Sequence, residues 1–178
     1  EKSSSIVMII NTAKQQGAAL FVSLIMLLLM TLIGVTGMQS TILEEKMAGN
    51  FKDRSMSLQA GESALRFAEN YLKTTVVLPS FTGTTLGHYL PTSSGAPRWD
   101  ASVTNWSDTT NDVIAYNGSL TDISSPPVYI IEEMPPIPES GGSLETGVAL
   151  ESNYYRISVQ SVGGTDTAVT LLQSIYKR

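Results

Sequence analysis

AALFVSLIMLLLMTLIGVTGM, residues 18–38, contains no ionisable side chain. A helix of about 21 residues rises roughly 30 Å, the hydrocarbon thickness of a bilayer. Within lipid only a helix or a closed barrel satisfies its own backbone, so the stretch predicts one spanning helix. A secretory signal has an apolar core of about 7–15 residues that ends in a small-residue cleavage site. Here the small residue, Gly17, stands before the apolar run. A cut after Gly17 leaves the helix on the mature chain.

C-terminal to this run, QSTILEEKMAGNFKDRSMSLQAGESALRFAENYLK keeps helical spacing. Leu43, Met47 and Phe51 recur at steps of four, and Leu58, Gly61, Leu65, Ala68 and Leu72 follow at steps of three and four. One face is therefore apolar. On the other, Glu62 precedes Arg66 and Glu69 precedes Lys73 by four, the favourable order for surface ion pairs. No proline interrupts residues 18–78, so the membrane and amphipathic parts read as one continuous helix. Gly34 and Gly37 each cost about 1 kcal/mol of helix propensity relative to Ala. They mark a place where the helix could bend, or where another helix could approach closely, as small residues allow in membranes.

From Pro79 onward Thr, Ser, Gly, Pro and aromatics replace the helical pattern. Predicted strands are 99–106, 112–116, 128–134, 154–162 and 168–176. In the last two, Tyr155, Ile157 and Val159, then Val169, Leu171 and Ile175, alternate with other residues. Gly163, Gly164, Thr165 and Asp166 between them supply turn chemistry, which predicts a β-hairpin. Flanking prolines 127 and 135 predict that the third strand is short and lies at a sheet edge. Residues 139–147, ESGGSLETG, read as a loop. The expected class is α+β: a long N-terminal helix packed on a small antiparallel sheet. The divisions are 1–17, a leader; 18–38, the membrane helix; 39–74, the amphipathic helix; and 75–178, the globular β domain. That last part is too small to stand without the amphipathic helix face against its sheet.

The 178 residues hold 16 acidic and 11 basic side chains, a net charge of −5. Loss of the leader, with Glu1, Lys2 and Lys14, takes this to −6. No basic cluster suits nucleic acid. Lys2 and Lys14 precede the apolar run, so the positive-inside bias sends the C-terminal part across the membrane. The chain has no cysteine, which excludes thiol nucleophiles, zinc–thiolate sites and iron–sulfur clusters.

His88 is the single histidine, without a Cys or second His to join it, and reads as a surface or loop residue. No nucleophile elbow, P-loop or H-E-x-x-H occurs, so no catalytic residue, cofactor site or metal site is assigned and the chain does not read as an enzyme. NWSDTTNDVIAYNG brings together Asn105, Asp108, Asn111, Asp112 and Asn117, oxygen ligands of the kind calcium takes. The spacing is not that of an EF-hand, and a turn-forming loop is the preferred reading. Glu44, Glu45 and Lys46 read equally as a solvated helix face or as subunit contacts. Trp99, Trp106, Tyr154 and Tyr155 read as packing rather than a receptor pocket.

A leader ending in Gly, an apolar helix running into an amphipathic one and a small β domain together resemble the type IV pilin superfamily. QQGAALFVSLIMLLLMTLIGV, MQSTILEEKMAGNFKDRSMSLQAGESALRFAE and the closing YRISVQSVGGTDTAVTLLQSIYKR are similar to the PilX-like minor pilins. The resemblance implies a pilin fold, with residues 18–38 serving as filament core as well as membrane helix. It implies cleavage by prepilin peptidase between Gly17 and Ala18 and methylation of Ala18. The fifth residue after the cut, where ordinary pilins carry glutamate, is Val22. That glutamate meets a neighbouring subunit's free amine, and a buried carboxylate without a partner costs several kcal/mol. Val22 therefore fits a subunit with no neighbour above it, at the pilus tip or at initiation. The family's frequent C-terminal cysteine pair is missing, which leaves the closing hairpin held by strand pairing alone.

The expected function is a minor pilin that helps initiate type IV pilus assembly at or near the tip. Its partners would be other minor pilins, the major pilin, the inner-membrane assembly platform, prepilin peptidase and, on the resemblance alone, a tip adhesin. It would sit in the bacterial inner membrane with a periplasmic C-terminal domain, then at the extracellular pilus tip. The alternatives are a pseudopilin of type II secretion, or a membrane-anchored periplasmic binding module with its leader uncut.

Overall fold

A computed structural model describes residues 16–93, 95–138 and 151–178. The expected leader up to residue 15 and the expected 139–147 loop lie outside the described residues. One helix, α1, runs Gln16–Thr74, as the proline-free sequence predicts. Five strands follow: β1 (His88–Tyr89), β2 (Ile114–Ala115), β3 (Val128–Pro138), β4 (Glu151–Val162) and β5 (Val169–Lys177). The chain divides into two compact units between Ala48 and Gly49.

In the first unit every side chain from 17 to 48 is exposed. The helix is long and apolar enough to cross a membrane. It continues without interruption through Gly34 and Gly37.

The second unit is an α+β assembly of residues 49–74 of α1 and a mixed sheet in the order β1-β3-β4-β5. β3, β4 and β5 are antiparallel, as expected; β1 lies parallel to β3, which makes the sheet mixed. β2 pairs antiparallel with the start of β3. β3 is thus neither short nor at an edge. It is buried on both faces: Tyr129 and Ile131 join the helix-side core, while Val128 and Ile130 join a second core with Tyr89, Trp106 and Val113. Its unbroken VYII run is the signature of such a strand. The prolines do not stop it because they fall where the β3–β4 register shifts, between Met134 and Ile137, and no ladder N–H is required there.

The predicted β4–β5 hairpin is present, and Tyr155, Ile157 and Val159 are buried. In β5, Val169, Leu171 and Ile175 point to the exposed face. Residues 99–106 are turns rather than a strand. Asp100 Oδ1 accepts the Ser102 N–H at 2.8 Å and its carbonyl accepts Val103 and Thr104 N–H groups, so an aspartate turn competes successfully with extension.

The helix meets the sheet through small residues. Ser57, Ala60, Ala64 and Ala68 are buried with Leu72, whereas Phe51 is 77% exposed and Leu58 42%. The heptad row Phe51, Leu58, Leu65, Leu72 drifts around a helix of 3.6 residues per turn, so it leaves the sheet toward its N-terminal end. Close approach needs Gly61: a Cβ there would lie 2.7 Å from Ser161 Oγ. Ser161 Oγ in turn donates to the Ser57 carbonyl at 2.8 Å, joining helix to strand.

The hairpin is not held by strand pairing alone. Asp53 on α1 accepts the Thr165 N–H at 3.1 Å and the Thr165 hydroxyl, and these bonds hold its carboxyl below the usual range. Gly163 makes this possible, since a Cβ there would stand 2.4 Å from the Asp53 carbonyl oxygen. At the other end, the Arg178 guanidinium donates to the Thr75 and Val76 carbonyls just beyond α1. Gly163→Ala forces helix and turn apart, so it lowers the stability of the globular unit by about 1–3 kcal/mol in chemical denaturation.

Candidate assembly interface

Residues 17–43 present an apolar surface with nothing ionisable. Four of its hydroxyls turn back onto the helix: Ser23 to the Leu20 carbonyl at 2.9 Å, Thr31 to Leu28 at 2.9 Å, Thr36 to Leu32 at 2.8 Å and Thr41 to Gly37 at 3.3 Å. Outwardly these residues act as apolar ones, which is what a lipid-facing or helix-facing surface requires. Leu20, Leu27, Met30 and Ile33 are among the exposed side chains. Val22 is 53% exposed. Nothing lies within 4 Å of a Cβ placed on Gly17, Gly34 or Gly37, so space for a close neighbour exists at each. Glu44, Glu45 and Lys46 are exposed just beyond this surface.

The globular unit holds its ionisable groups differently. His88 is not a loop residue: it lies in β1, 4% exposed, edge-on to Tyr71 and Phe81 at 5.8 and 5.2 Å between ring centres. Its Nδ1 is 2.7 Å from the Leu86 carbonyl, which can only accept, so Nδ1 carries the proton. Nε2 is buried without a partner among the described residues, and burial pulls the imidazole below its ordinary pKa. Burial also pushes Tyr129, which lies in the same helix-side core, up to about 12.

On the opposite sheet face Glu132, fully buried, accepts two bonds from Arg156, at 2.8 and 2.7 Å. The pairing follows from register, since Glu132 stands opposite Arg156 across β3 and β4. That fork raises the Arg156 pKa. Sequence reading missed both sites. The available signal was an acidic residue, Glu132, directly after the apolar VYII run, with Arg156 on a neighbouring alternating strand.

The 105–117 loop spends its oxygens on itself. Asp108 Oδ1 accepts the Thr110 and Asn111 N–H groups, each at 3.0 Å, and Asp112 Oδ2 accepts the Asn105 N–H at 3.0 Å. Among the described residues no three His, Cys, Asp or Glu side chains converge. Trp106 and Tyr155 are buried packing residues, while Trp99 is 37% exposed.

A family model described as PilX N-terminal matches residues 16–66. A second, described as type IV pilus assembly protein PilX C-term, matches residues 58–178. No curated protein and no solved structure matches the chain.

Two measurements test the buried groups. The unfolded chain protonates His88 near its ordinary value of 6.5, ahead of the folded one. Its contribution to stability is complete above that pH and declines as pH falls below it. Denaturation midpoints between pH 7 and 5 (about the range of histidine titration) therefore drop for the natural chain and flatten for His88→Phe. Arg156→Met strands the Glu132 carboxylate and costs about 3–5 kcal/mol, much of which Glu132→Gln in the same chain restores.

Proposed function

The chain belongs to the PilX family of type IV pilus assembly proteins, and from that premise we propose a minor pilin that helps initiate the pilus and remains at or near its tip. Members of this family are structural pilus subunits rather than enzymes. The observation that carries the reading is Val22: five residues into the mature helix, the chain offers an exposed isopropyl group where a shaft subunit needs a carboxylate. A subunit with no neighbour above has no amine to meet, and there a carboxylate would be a desolvated charge without a partner.

In this proposal prepilin peptidase cuts between Gly17 and Ala18, and Ala18 is methylated. Residues 18–38 hold the subunit in the inner membrane, with the globular domain in the periplasm, until the assembly platform extracts it. The same apolar surface then packs against helices of other minor pilins and the major pilin. Gly34 and Gly37 either bend the helix or admit a neighbouring one, and the two outcomes differ in whether Gly→Ala changes helix shape or packing. Apolar area passes from lipid to filament core with little net hydrophobic gain, so assembly needs a motor and can be reversed. A tip adhesin is a further partner, and twitching motility and cell adhesion are the activities that such a pilus serves.

Mass spectrometry of the chain recovered from its native host should give methylated Ala18 as the first residue; an intact leader would exclude the proposal. Val22→Glu should leave pilus number unchanged or slightly lower, and enrichment of that variant along the shaft would contradict a tip position.

A further inference from the structure

On the sheet face away from α1, where β3 begins and the β4–β5 hairpin turns, a groove of about 630 Å³ opens between the 106–109 turn and the 125–126 segment. This size falls within the range of small-molecule sites. Its floor includes Ala115, Val128 and Gln160, which stand in one cross-strand row. Gln160 is half-buried there between apolar neighbours, and among the described residues its amide has no partner. The contrast with the next row is instructive: Gln173 stands opposite Ser158 and donates to its hydroxyl at 2.9 Å. Gln160 stands opposite Leu171, whose side chain can accept nothing.

Around this amide the walls carry the hydroxyls of Ser107, Thr109 and Ser125, the edge of Trp106 and the Asp166 carboxylate. One oxygen of Asp166 accepts the Ser124 hydroxyl, leaving the other available. The walls are fixed before any ligand arrives. Ser124 N–H donates to the Gly163 carbonyl at 2.7 Å, and Trp106 Nε1 donates to the Trp99 carbonyl at 3.2 Å. Preorganised groups of this kind lose little entropy on binding.

We infer that this groove binds a neutral saccharide. Among the described residues its lining holds no lysine, arginine or histidine, and Asp166 repels anions, which argues against phosphate, sulfate or sialic acid. A purely apolar ligand would strand the Gln160 amide. An extended peptide is gripped by a row of main-chain groups along a strand edge; here the free groups are side-chain hydroxyls, an amide and a carboxylate set around a bowl. Sugar hydroxyls both donate and accept, as these groups require, and the C–H face of a pyranose suits the apolar surface that Val162 and Val169 contribute. The inference concerns the globular unit and holds wherever in a fibre the chain resides.

The test uses the full chain in an amine-oxide detergent, which has no sugar headgroup, on a printed array of neutral, sialylated and sulfated oligosaccharides. Calorimetry with the strongest neutral hit follows. Saturable binding confined to neutral glycans is expected, with Gln160→Leu and Thr109→Ala each weakening it by about tenfold or more. Gln173→Ala, outside the groove, should not weaken it, and thermal unfolding of the Gln160 and Thr109 variants should match that of the natural chain. Absence of saccharide binding, binding only to charged glycans, binding that survives both groove substitutions, or displacement of the glycan by a neutral extended peptide would each overturn the inference.

Discussion

An apolar helix that stands exposed must be covered by something, because each buried methylene is worth about 0.8 kcal/mol and residues 17–43 present dozens of them without a charge. Within it Ser23, Thr31 and Thr36 bond back to the helix, so their hydroxyls ask little of the surroundings. Lipid and other helices of the same character are the two covers that chemistry allows. The proposed cycle uses both in turn, and its near balance of apolar burial is what lets a motor drive the fibre in either direction.

The globular unit obeys the opposite constraint. It is small and has no disulfide, so it gains stability by bringing α1 very close to the sheet. Ser57, Ala60, Gly61, Ala64 and Ala68 form a narrow face, Ser57 and Ser161 bond across it, and Asp53 ties the hairpin turn to the helix. Polar atoms within this packing are matched individually, as with Glu132 and Arg156, or sealed in a neutral state, as with His88.

Much of this was legible in the chain itself. Hydropathy alone placed the apolar helix, spacing and the lack of proline carried it to Thr74, and Gly163 to Asp166 announced the hairpin. The failures share a cause. β1 is two residues long and exists only because β3 offers it a parallel edge, so no local pattern could reveal it or the burial of His88. β3 was misplaced because proline was read as a terminator, while the tertiary register put a bulge where the prolines lie. The strand expected at 99–106 lost to the local bonding of Asp100. Apolar residues also misled: Phe51 and Leu58 look like core, yet alanines and a glycine make the contact. Of the candidate site, the apolar surface was legible in full. The meaning of Gly17, Ala18 and Val22 came only through family resemblance, since nothing in their own spacing specifies a cut, a methyl group or a missing carboxylate.

The central claim is that one helical surface meets lipid first and protein afterwards. A photo-crosslinking side chain at Leu28, which is 59% exposed, reads this directly in cells. The account predicts phospholipid adducts from membrane fractions and adducts to pilin helices from sheared, purified fibres. Fibres that lack the chain at their ends and along their length, with lipid adducts alone in the envelope, would contradict it.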